Sequence, residues 1–459
     1  MNADRLLAVA MTLALAGPAG AKDWEFTDDR LENGLRVITM EDHSSPLVAV
    51  QVWYQVGSKD ENPERQGFAH MFEHMMFRGT ERLGPEDHFK YLRRFGGEVN
   101  GFTTFDTTAY IQVVPSNQVD LVFWLEAERM ANLKINEEYF AAEREVVKEE
   151  YRLGHDRPYG KVMENALPLA FKEHPYRWSP IGNLEHLNAA TAEELRAFFK
   201  TYYVPNNATL VVVGDVSPAE ILSKAKDYFG WIPRRPDPPR VTVQEPPVSE
   251  PRRLEMFERA PLPLVAVGYH VPLASHEDIP VLMVLQNALS SGQSGRVYRS
   301  LVKEKELCVA VVAAVLPFEQ AGLFGFGGVL RPGSSTDAVE AAVMEIVQQI
   351  KAEGITSEEL QKAKNQAGAA AVRDRMTVAG KARKLGFAAT VLHDPNRVNS
   401  ELEDIMKVSE QDVKRVANLY FTDTARLNLV VKPELARITR SFGFLKGIIG
   451  GSKDKKEEK

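Results

Sequence analysis

The chain has 459 residues with 44% hydrophobic and 26% charged residues, which is typical of a soluble globular protein with more than one core. Its formal net charge of −7 offers no broad basic surface, so nucleic-acid binding is not expected. The single cysteine, Cys308, excludes an internal disulfide and a cysteine-rich zinc cluster, and its apolar neighbours indicate a buried thiol.

The chain opens with a segment typical of protein targeting. Residues 6–17 are apolar, and Ala19-Gly20-Ala21 matches the small-residue pattern at which signal peptides are cleaved. This run is too short to span a bilayer, and no later stretch reaches the required length. We therefore expect a signal peptide over residues 1–21, a periplasmic or otherwise exported protein and no stable membrane span. An uncleaved N-terminal anchor is the alternative.

Residues 22–232 are predicted to form a first domain that mixes strands and helices. Strand-like stretches rich in Val cover 47–56 and 209–213. Helical composition covers 64–78, 117–131, 137–152 and 192–202. The expected fold class is therefore α+β, with a mostly antiparallel sheet packed against helices.

The strongest chemical signal is the sequence His70-Met71-Phe72-Glu73-His74 in the predicted helix 64–78. Positions four apart share a helical face, so both imidazoles can bind one ion, and Glu73 projects to the same side. Imidazole suits zinc, and a catalytic zinc takes three protein ligands and keeps a position for water. This order of residues is the inverzincin signature. The alternative is a structural helix with two partly buried histidines beside a salt-bridging glutamate.

A third ligand is expected from the glutamate-rich helical stretch 143–150. Glu143 and Glu150 are seven positions apart, which is two helical turns, so they share a face. Either carboxylate could bind the metal while the other orients a histidine or holds the ligand in position. Glu149 points elsewhere and is expected to be a solvated surface residue. Without the histidines upstream, the whole stretch would be taken for a solvated surface.

The segment 233–253 contains seven prolines and is predicted to be an extended, stiff linker. The sequence before it is repeated after it: the pentapeptide at 46–50 recurs 217 positions later at 263–267. A helix–aromatic–strand pattern that starts at Thr191 recurs at Val408, with nearly the same offset. Two matches at one offset indicate duplication. We therefore expect a second, related α+β domain over residues 254–445, followed by a disordered charged tail over 446–459.

The duplication does not repeat the metal motif. At an offset of 217, His70, Glu73 and His74 fall opposite polar residues that are poor zinc ligands, namely Asn287, Ser290 and Ser291. The chain is therefore expected to bind one zinc ion, in its first domain only.

These motifs resemble the pitrilysin/insulinase family of zinc peptidases, which includes the mitochondrial processing peptidases, and they match its bacterial members. The resemblance covers nearly the whole mature chain and is most specific over residues 67–80. In this family the third ligand ends a phrase of the form Glu-Arg-x-Val-Ile-x-x-Glu, which here is 143–150. The resemblance therefore implies that Glu150 binds the zinc ion and that Glu143 supports the ligands. It also implies two domains arranged like a clam.

The family resemblance also implies how substrate is bound and cleaved. Residues 96–110 match the family's edge strand, where a substrate peptide pairs by strand addition. The implied substrate-binding residues are Asn100, Gly101, Phe102 and Thr103. An ordinary glycine-opened strand is the alternative. Glu73 is implied to be the catalytic base of a zinc metalloendopeptidase that hydrolyses unfolded peptides.

One departure from the family pattern bears on partners. Single-chain members carry an Arg and, seven residues later, a Tyr in the second half, and both reach the substrate; here Val302 and Val309 occupy these positions. Loss of a transition-state donor can slow catalysis by roughly two to three orders of magnitude. We therefore expect the zinc subunit of a hetero-oligomer whose zinc-less homologous subunit supplies Arg and Tyr. The alternatives are a non-catalytic assembly subunit and a peptide-binding protein that barely cleaves.

Overall fold

The computed structural model describes residues 23–434. The predicted signal segment 1–21, the end of the second predicted domain at 435–445 and the predicted tail 446–459 lie outside the described residues. The strands are β1 (Thr27–Arg30), β2 (Arg36–Glu41), β3 (Leu47–Tyr54), β4 (Glu98–Thr103), β5 (Thr108–Pro115), β6 (Ala208–Gly214), β7 (Arg252–Glu258), β8 (Leu264–Val271), β9 (Cys308–Pro317), β10 (Gly322–Leu330) and β11 (Leu427–Pro433).

The helices lie between these strands along the described chain, mostly in groups of two to five. They are α1 (Phe68–Met75), α2 (Asp87–Arg93), α3 (Val119–Asn132), α4 (Glu137–Asp156), α5 (Val162–Ala170), α6 (Leu184–Ala189), α7 (Ala192–Tyr202), α8 (Pro218–Phe229), α9 (Ile279–Ser290), α10 (Arg296–Tyr298), α11 (Thr336–Glu353), α12 (Ser357–Asp374), α13 (Val378–Thr390), α14 (Arg397–Lys407) and α15 (Glu410–Tyr420). In the described part of the chain, no helix is long and apolar enough to cross a membrane.

The strands form two sheets of matching topology. The 6-stranded sheet has the order β1-β2-β6-β3-β5-β4, and the 5-stranded sheet has the order β7-β11-β8-β10-β9. When β1 is set aside, the two orders are the same, and each sheet has one parallel pair, β2 with β6 and β7 with β11. The predicted fold class, two related α+β halves with mostly antiparallel sheets, is therefore confirmed.

Several predicted elements differ from the structure at their ends. The strand predicted over 47–56 is β3, and its last residue is Tyr54. The helix predicted over 64–78 is shorter, because α1 begins only after Gly67, whose left-handed φ of 94° stops a helix from extending backwards. The helix predicted over 137–152 continues one further turn as α4. These shifts do not change which residues face the site.

Each sheet is covered on its second face by a helix from the other half. Helix α13, from the second half, packs on β3 and β6 of the first sheet. Helix α5, from the first half, packs on β7 and β11 of the second sheet. Gly386 of α13 lies so close to β3 that an added Cβ would be 2.2 Å from the Trp53 indole. This exchange of helices joins the two cores.

A buried ionic cluster also joins the halves. The ammonium group of Lys59, 3% exposed, lies 2.8 Å from Glu319 in the β9–β10 turn and 3.4 Å from Asp106 in the β4–β5 turn. Glu319 also accepts a hydrogen bond from Gln55 at 3.0 Å. Its backbone N–H donates to Asp106 at 3.0 Å. The second half therefore contacts the turn that ends the edge strand β4.

The proline-rich segment lies against both halves. It has no regular secondary structure before β7 begins at Arg252. Arg240 donates to the backbone oxygen of Gln55 at 2.9 Å, and Glu245 accepts from three successive backbone N–H groups that begin at Lys172. The Val248 side chain is buried. This segment is thus fixed along its length by packing and hydrogen bonds.

Candidate metal centre

Helix α1 presents the histidine motif toward strand β4 and helix α4. Its apolar face, which includes Phe72 and Met75, is buried in the first core. Its N-terminus is held by the buried carboxylate of Glu61, which accepts the backbone N–H groups of Gly67 and Ala69 at 2.9 Å each. Burial raises the pKa of Glu61 to about 8, even though these N–H groups favour its charged form. No local sequence pattern predicts this cap, because it depends on a turn before the helix.

Three potential ligand atoms converge between α1 and α4. Glu150 Oε2 lies 3.7 Å from His70 Nε2 and 3.4 Å from His74 Nε2, and all three atoms lie within 4.8 Å of one another. Atoms that bind a tetrahedral zinc ion at about 2.1 Å lie ~3.4 Å apart. The donor set and its spacing therefore fit zinc, and it is the one such group of three among residues 23–434.

Glu143 supports this group from behind His74. Its carboxylate, 2% exposed, lies 3.1 Å from His74 Nδ1, an arrangement that directs Nε2 of the same ring toward Glu150. The guanidinium of Arg78 contacts the other carboxylate oxygen. Arg78 was not predicted as a site residue, although its position four residues after His74 in a helical stretch was a usable signal. Glu149 forms an exposed ion pair with Arg152 at 3.1 Å, away from the group.

The two histidines have opposite pKa shifts in this environment. Burial, together with the nearby His74, lowers the pKa of His70 to about 4. Burial also disfavours the charged form of His74, but hydrogen bonds to Glu143 and Glu150 outweigh it and raise the pKa of His74 to about 9. His70 is therefore neutral near pH 7, as a metal ligand must be, whereas a metal ion must displace a proton from His74.

Glu73 is oriented by the edge strand. Thr103 Oγ1 donates to Glu73 Oε2 at 2.8 Å. Gly101 makes room for the carboxylate arm, since an added Cβ would lie 3.1 Å from Glu73 Cγ. Burial raises the pKa of Glu73, and the Thr103 hydrogen bond offsets part of that shift. The Glu73 side chain is thus fixed next to His74 with increased affinity for a proton.

The four predicted substrate-binding residues lie on β4, which pairs with β5 alone. The Thr104 N–H bonds to Thr107 O inside the hairpin, so the backbone groups of Thr103 and Gly101 point to the open side of β4. The Asn100 side chain accepts the Gly101 N–H there, at 3.0 Å. Side chains alternate: Gly101 and Thr103 face Glu73, whereas Phe102 faces the other side of the sheet and packs on Trp53.

The second half lacks these donors at the matching places. Asn287 and Ser290 lie on α9, and Ser291 follows that helix. Val302 is partly buried against the second core, and Val309 on β9 is 47% exposed. Cys308 is buried and unpaired, and burial raises its pKa to about 11.

Comparisons with known proteins agree with this fold. Residues 36–180 match the model of the insulinase family (peptidase family M16), and residues 189–367 match the model of the peptidase M16 inactive domain. The zinc protease PqqE of Helicobacter pylori is 30% identical over 411 residues, which cover 88% of this chain and 92% of the relative. The chain therefore belongs to the insulinase family of peptidases.

Solved structures match over nearly the same length. The crystal structure of a protease from Helicobacter pylori has a TM-score of 0.86 and 29% identity, and the match covers 90% of this chain and 100% of that chain. The peptidase M16 inactive domain from Pseudomonas fluorescens has a TM-score of 0.81 with 15% identity, covering 89% of this chain and 98% of that chain. The second similarity shows the fold alone.

Proposed function

We propose that the chain is a zinc-dependent endopeptidase that hydrolyses unfolded peptides, with His70, His74 and Glu150 as metal ligands. The observation that carries the proposal is the convergence of three ligand atoms at spacings of 3.4 and 3.7 Å from Glu150 Oε2. The buried contact from Glu143 to His74 supports it, because metal-binding histidines usually donate their second nitrogen to such a group.

The chain's own residues supply the proton transfer and the positioning of substrate. A bound zinc ion would lower the pKa of its water toward ~7 and polarise the scissile carbonyl. Glu73 accepts the proton of the attacking water and delivers it to the leaving amine. Thr103 keeps the Glu73 carboxylate in place through its hydrogen bond. The open side of β4 holds the peptide through main-chain hydrogen bonds, which demand little of its sequence.

The full activity is proposed to need a homologous partner subunit without zinc. Val302 and Val309 carry no hydrogen-bond donor on their side chains, so they cannot stabilise a developing oxyanion. A partner that carries Arg and Tyr at the matching positions would supply those donors. Export to the periplasm is likewise a proposal, which rests on the N-terminal segment outside the described residues.

The test is hydrolysis of an internally quenched, unstructured peptide by the chain without residues 1–21, with and without the zinc-less relative. Activity that appears in the mixture and disappears with Glu73→Gln supports the split-site peptidase. Equal activity without the relative removes the partner from the proposal. Tight peptide binding with no turnover in either sample would instead support a binding or assembly role.

A further inference from the structure

A cavity lies behind the edge strand, on the side of the sheet opposite the metal centre. Its volume is about 610 Å³, and its walls come from both halves of the chain. Phe102 and Trp53 form one wall, and Met283 of α9, Phe318 before β10, Phe387 of α13 and Leu392 form the others. The walls are therefore mostly aromatic and aliphatic.

Phe102 links this cavity to the open side of β4. It pairs across the sheet with Ala109, whose small side chain lets the Phe102 ring reach Trp53 at a centroid distance of 5.3 Å. The neighbouring residues Gly101 and Thr103 face Glu73 instead. Strand β4 thus has the metal centre on one face and the cavity on the other.

A peptide added to β4 must follow the same alternation. Directly opposed residues of two paired strands project their side chains to the same face of the sheet. A peptide side chain opposite Gly101 or Thr103 therefore faces Glu73, and one opposite Phe102 faces the cavity. Of the β4 residues only Phe102 lines the cavity, so the peptide side chain opposite Phe102 is the one that lies beside it.

We propose that this cavity is a subsite for one large apolar side chain, aromatic or branched aliphatic, of the bound peptide. The inference rests on the proposed function and adds a substrate class to it: unfolded segments that carry a large apolar residue in the register of Phe102. The apolar walls disfavour an acidic side chain, because a carboxylate would lose its hydration against them. Three cationic residues, Arg383, Lys384 and Arg397, also line the cavity, and the Lys384 ammonium group already bonds Glu401 at 2.8 Å.

The subsite is tested by peptide binding, which does not depend on turnover. The zinc-loaded Glu73→Gln chain is titrated with fluorescent peptides in which one Phe is moved stepwise along an Ala-Ser host. Burial of a Phe side chain is expected to strengthen binding about tenfold to a hundredfold over Ala at one position. Asp at that position is expected to bind more weakly than Ala. The two adjacent positions are expected to show less than a threefold preference.

Filling the cavity should remove this preference. In Met283→Trp the indole occupies the cavity, so the advantage of Phe over Ala should fall below threefold while the Ala peptide binds within twofold of its former affinity. Met376→Trp is the matched control, because Met376 is 73% exposed and does not line the cavity. Leu392→Trp fills the cavity from another wall and replaces Met283→Trp if that variant fails to fold.

Two results would overturn the subsite: equal affinity for Phe, Ala and Asp peptides, or a Phe preference that survives both filling variants. Absence of binding by every peptide would overturn it as well. Failure of the proposed function has a different signature. In that case the wild-type chain cleaves no peptide, with or without its relative, whatever the binding series shows.

Discussion

The two halves share a contact between an edge strand and a helix, but different residues make that contact in each half. In both sheets the last strand pairs on one side only, β4 in the first and β9 in the second, and a helix packs beside it. In the first half the helix α1 sends the Glu73 carboxylate to β4, where Thr103 donates to it. In the second half the helix α9 sends the Ser290 hydroxyl to β9, where it donates to the backbone oxygen of Ala313 at 2.9 Å.

This difference shows that the proposed chemistry depends on a few side chains of a fold that both halves share. The Ser290 contact is a hydrogen bond between uncharged groups, so its role is to hold a helix against a strand. The Glu73 contact keeps a carboxylate next to His74. The two edge strands also differ in polarity: β9 has no charged residue over its ten positions, whereas β4 begins with Glu98 and carries Asn100 and Thr103. Function therefore depends on a few side chains, and the backbone is shared.

The largest effect is expected from removing the carboxylate that distinguishes α1 from α9. Glu73→Gln keeps the side-chain shape and the Thr103 contact but cannot accept a proton, so kcat should fall about 10²- to 10⁴-fold. Bound zinc, measured by elemental analysis, should stay at one per chain. Glu149→Gln is the control, since that glutamate is exposed and should leave kcat within twofold. Unchanged kcat in Glu73→Gln would assign the base to another residue.

The second effect concerns the buried ionic cluster around Lys59, which joins the two halves and is called the joint below. Lys59→Met leaves Asp60, Asp106 and Glu319 buried without their shared cation, which should cost about 3–5 kcal/mol of unfolding free energy at pH 7. Urea denaturation followed by circular dichroism measures it. Lys200→Met, at an exposed position of α7, should change it by less than about 0.5 kcal/mol. A small loss in Lys59→Met would show that the two halves are joined by apolar contacts alone.

The contribution of the joint to the free energy of unfolding should also decrease in acid. Burial would raise the pKa of Glu319, but the hydrogen bond from His393 and the charge of Lys59 outweigh it and lower the pKa to about 2. A carboxyl with a depressed pKa stabilises the folded state above its unfolded value of about 4.5, and this contribution is lost as the pH falls toward 2. The stability difference between wild type and Lys59→Met should therefore shrink over that range. A difference that is constant with pH would contradict this linkage.

A third effect concerns Glu143, which supports the proposed ligand His74. The second half has no metal motif and therefore no such residue. Glu143→Gln removes the charge behind His74 and weakens the contact to Arg78, so zinc affinity should fall about 10- to 100-fold. Competition with a calibrated chelator measures the affinity. Glu149→Gln, on the same helix, should leave it unchanged. Equal affinity in both variants would mean that Glu143 has only a packing role.

Much of the site could be predicted from the sequence, because helical geometry fixes it locally. The spacing of His70, Glu73 and His74 determines their common face, and the constant offset of 217 positions predicted two related halves. The choice of Glu150 over Glu143 came from the family resemblance, and the structure places both carboxylates beside His74. These residue roles remain predictions until metal binding is measured.

Other features depend on contacts between distant segments, which local patterns do not encode. The Thr103 hydrogen bond to Glu73 requires the hairpin and α1 to be packed together, so Thr103 was predicted only as a substrate contact. The exchange of α5 and α13 between the halves has no sequence signal, because each helix looks amphipathic whichever sheet it covers. The same is true of the Lys59–Glu319 pair, whose residues are 260 positions apart.

The smallest effect is expected from adding one methyl group where α13, from the second half, packs on the first sheet. Gly386→Ala places a Cβ 2.2 Å from the buried Trp53 indole, so α13 or the indole must move, at a cost of about 1–3 kcal/mol in unfolding free energy. Gly368→Ala is the matched control within α12, where the nearest atom to the new Cβ is a flexible leucine side chain at 3.4 Å. Alanine there should instead stabilise the helix by about 0.5–1 kcal/mol. The two glycine variants should thus have effects of opposite sign in the same denaturation experiment. If both were stabilising, α13 would not press on the first sheet, and the two halves would be joined by the ionic cluster and α5 instead.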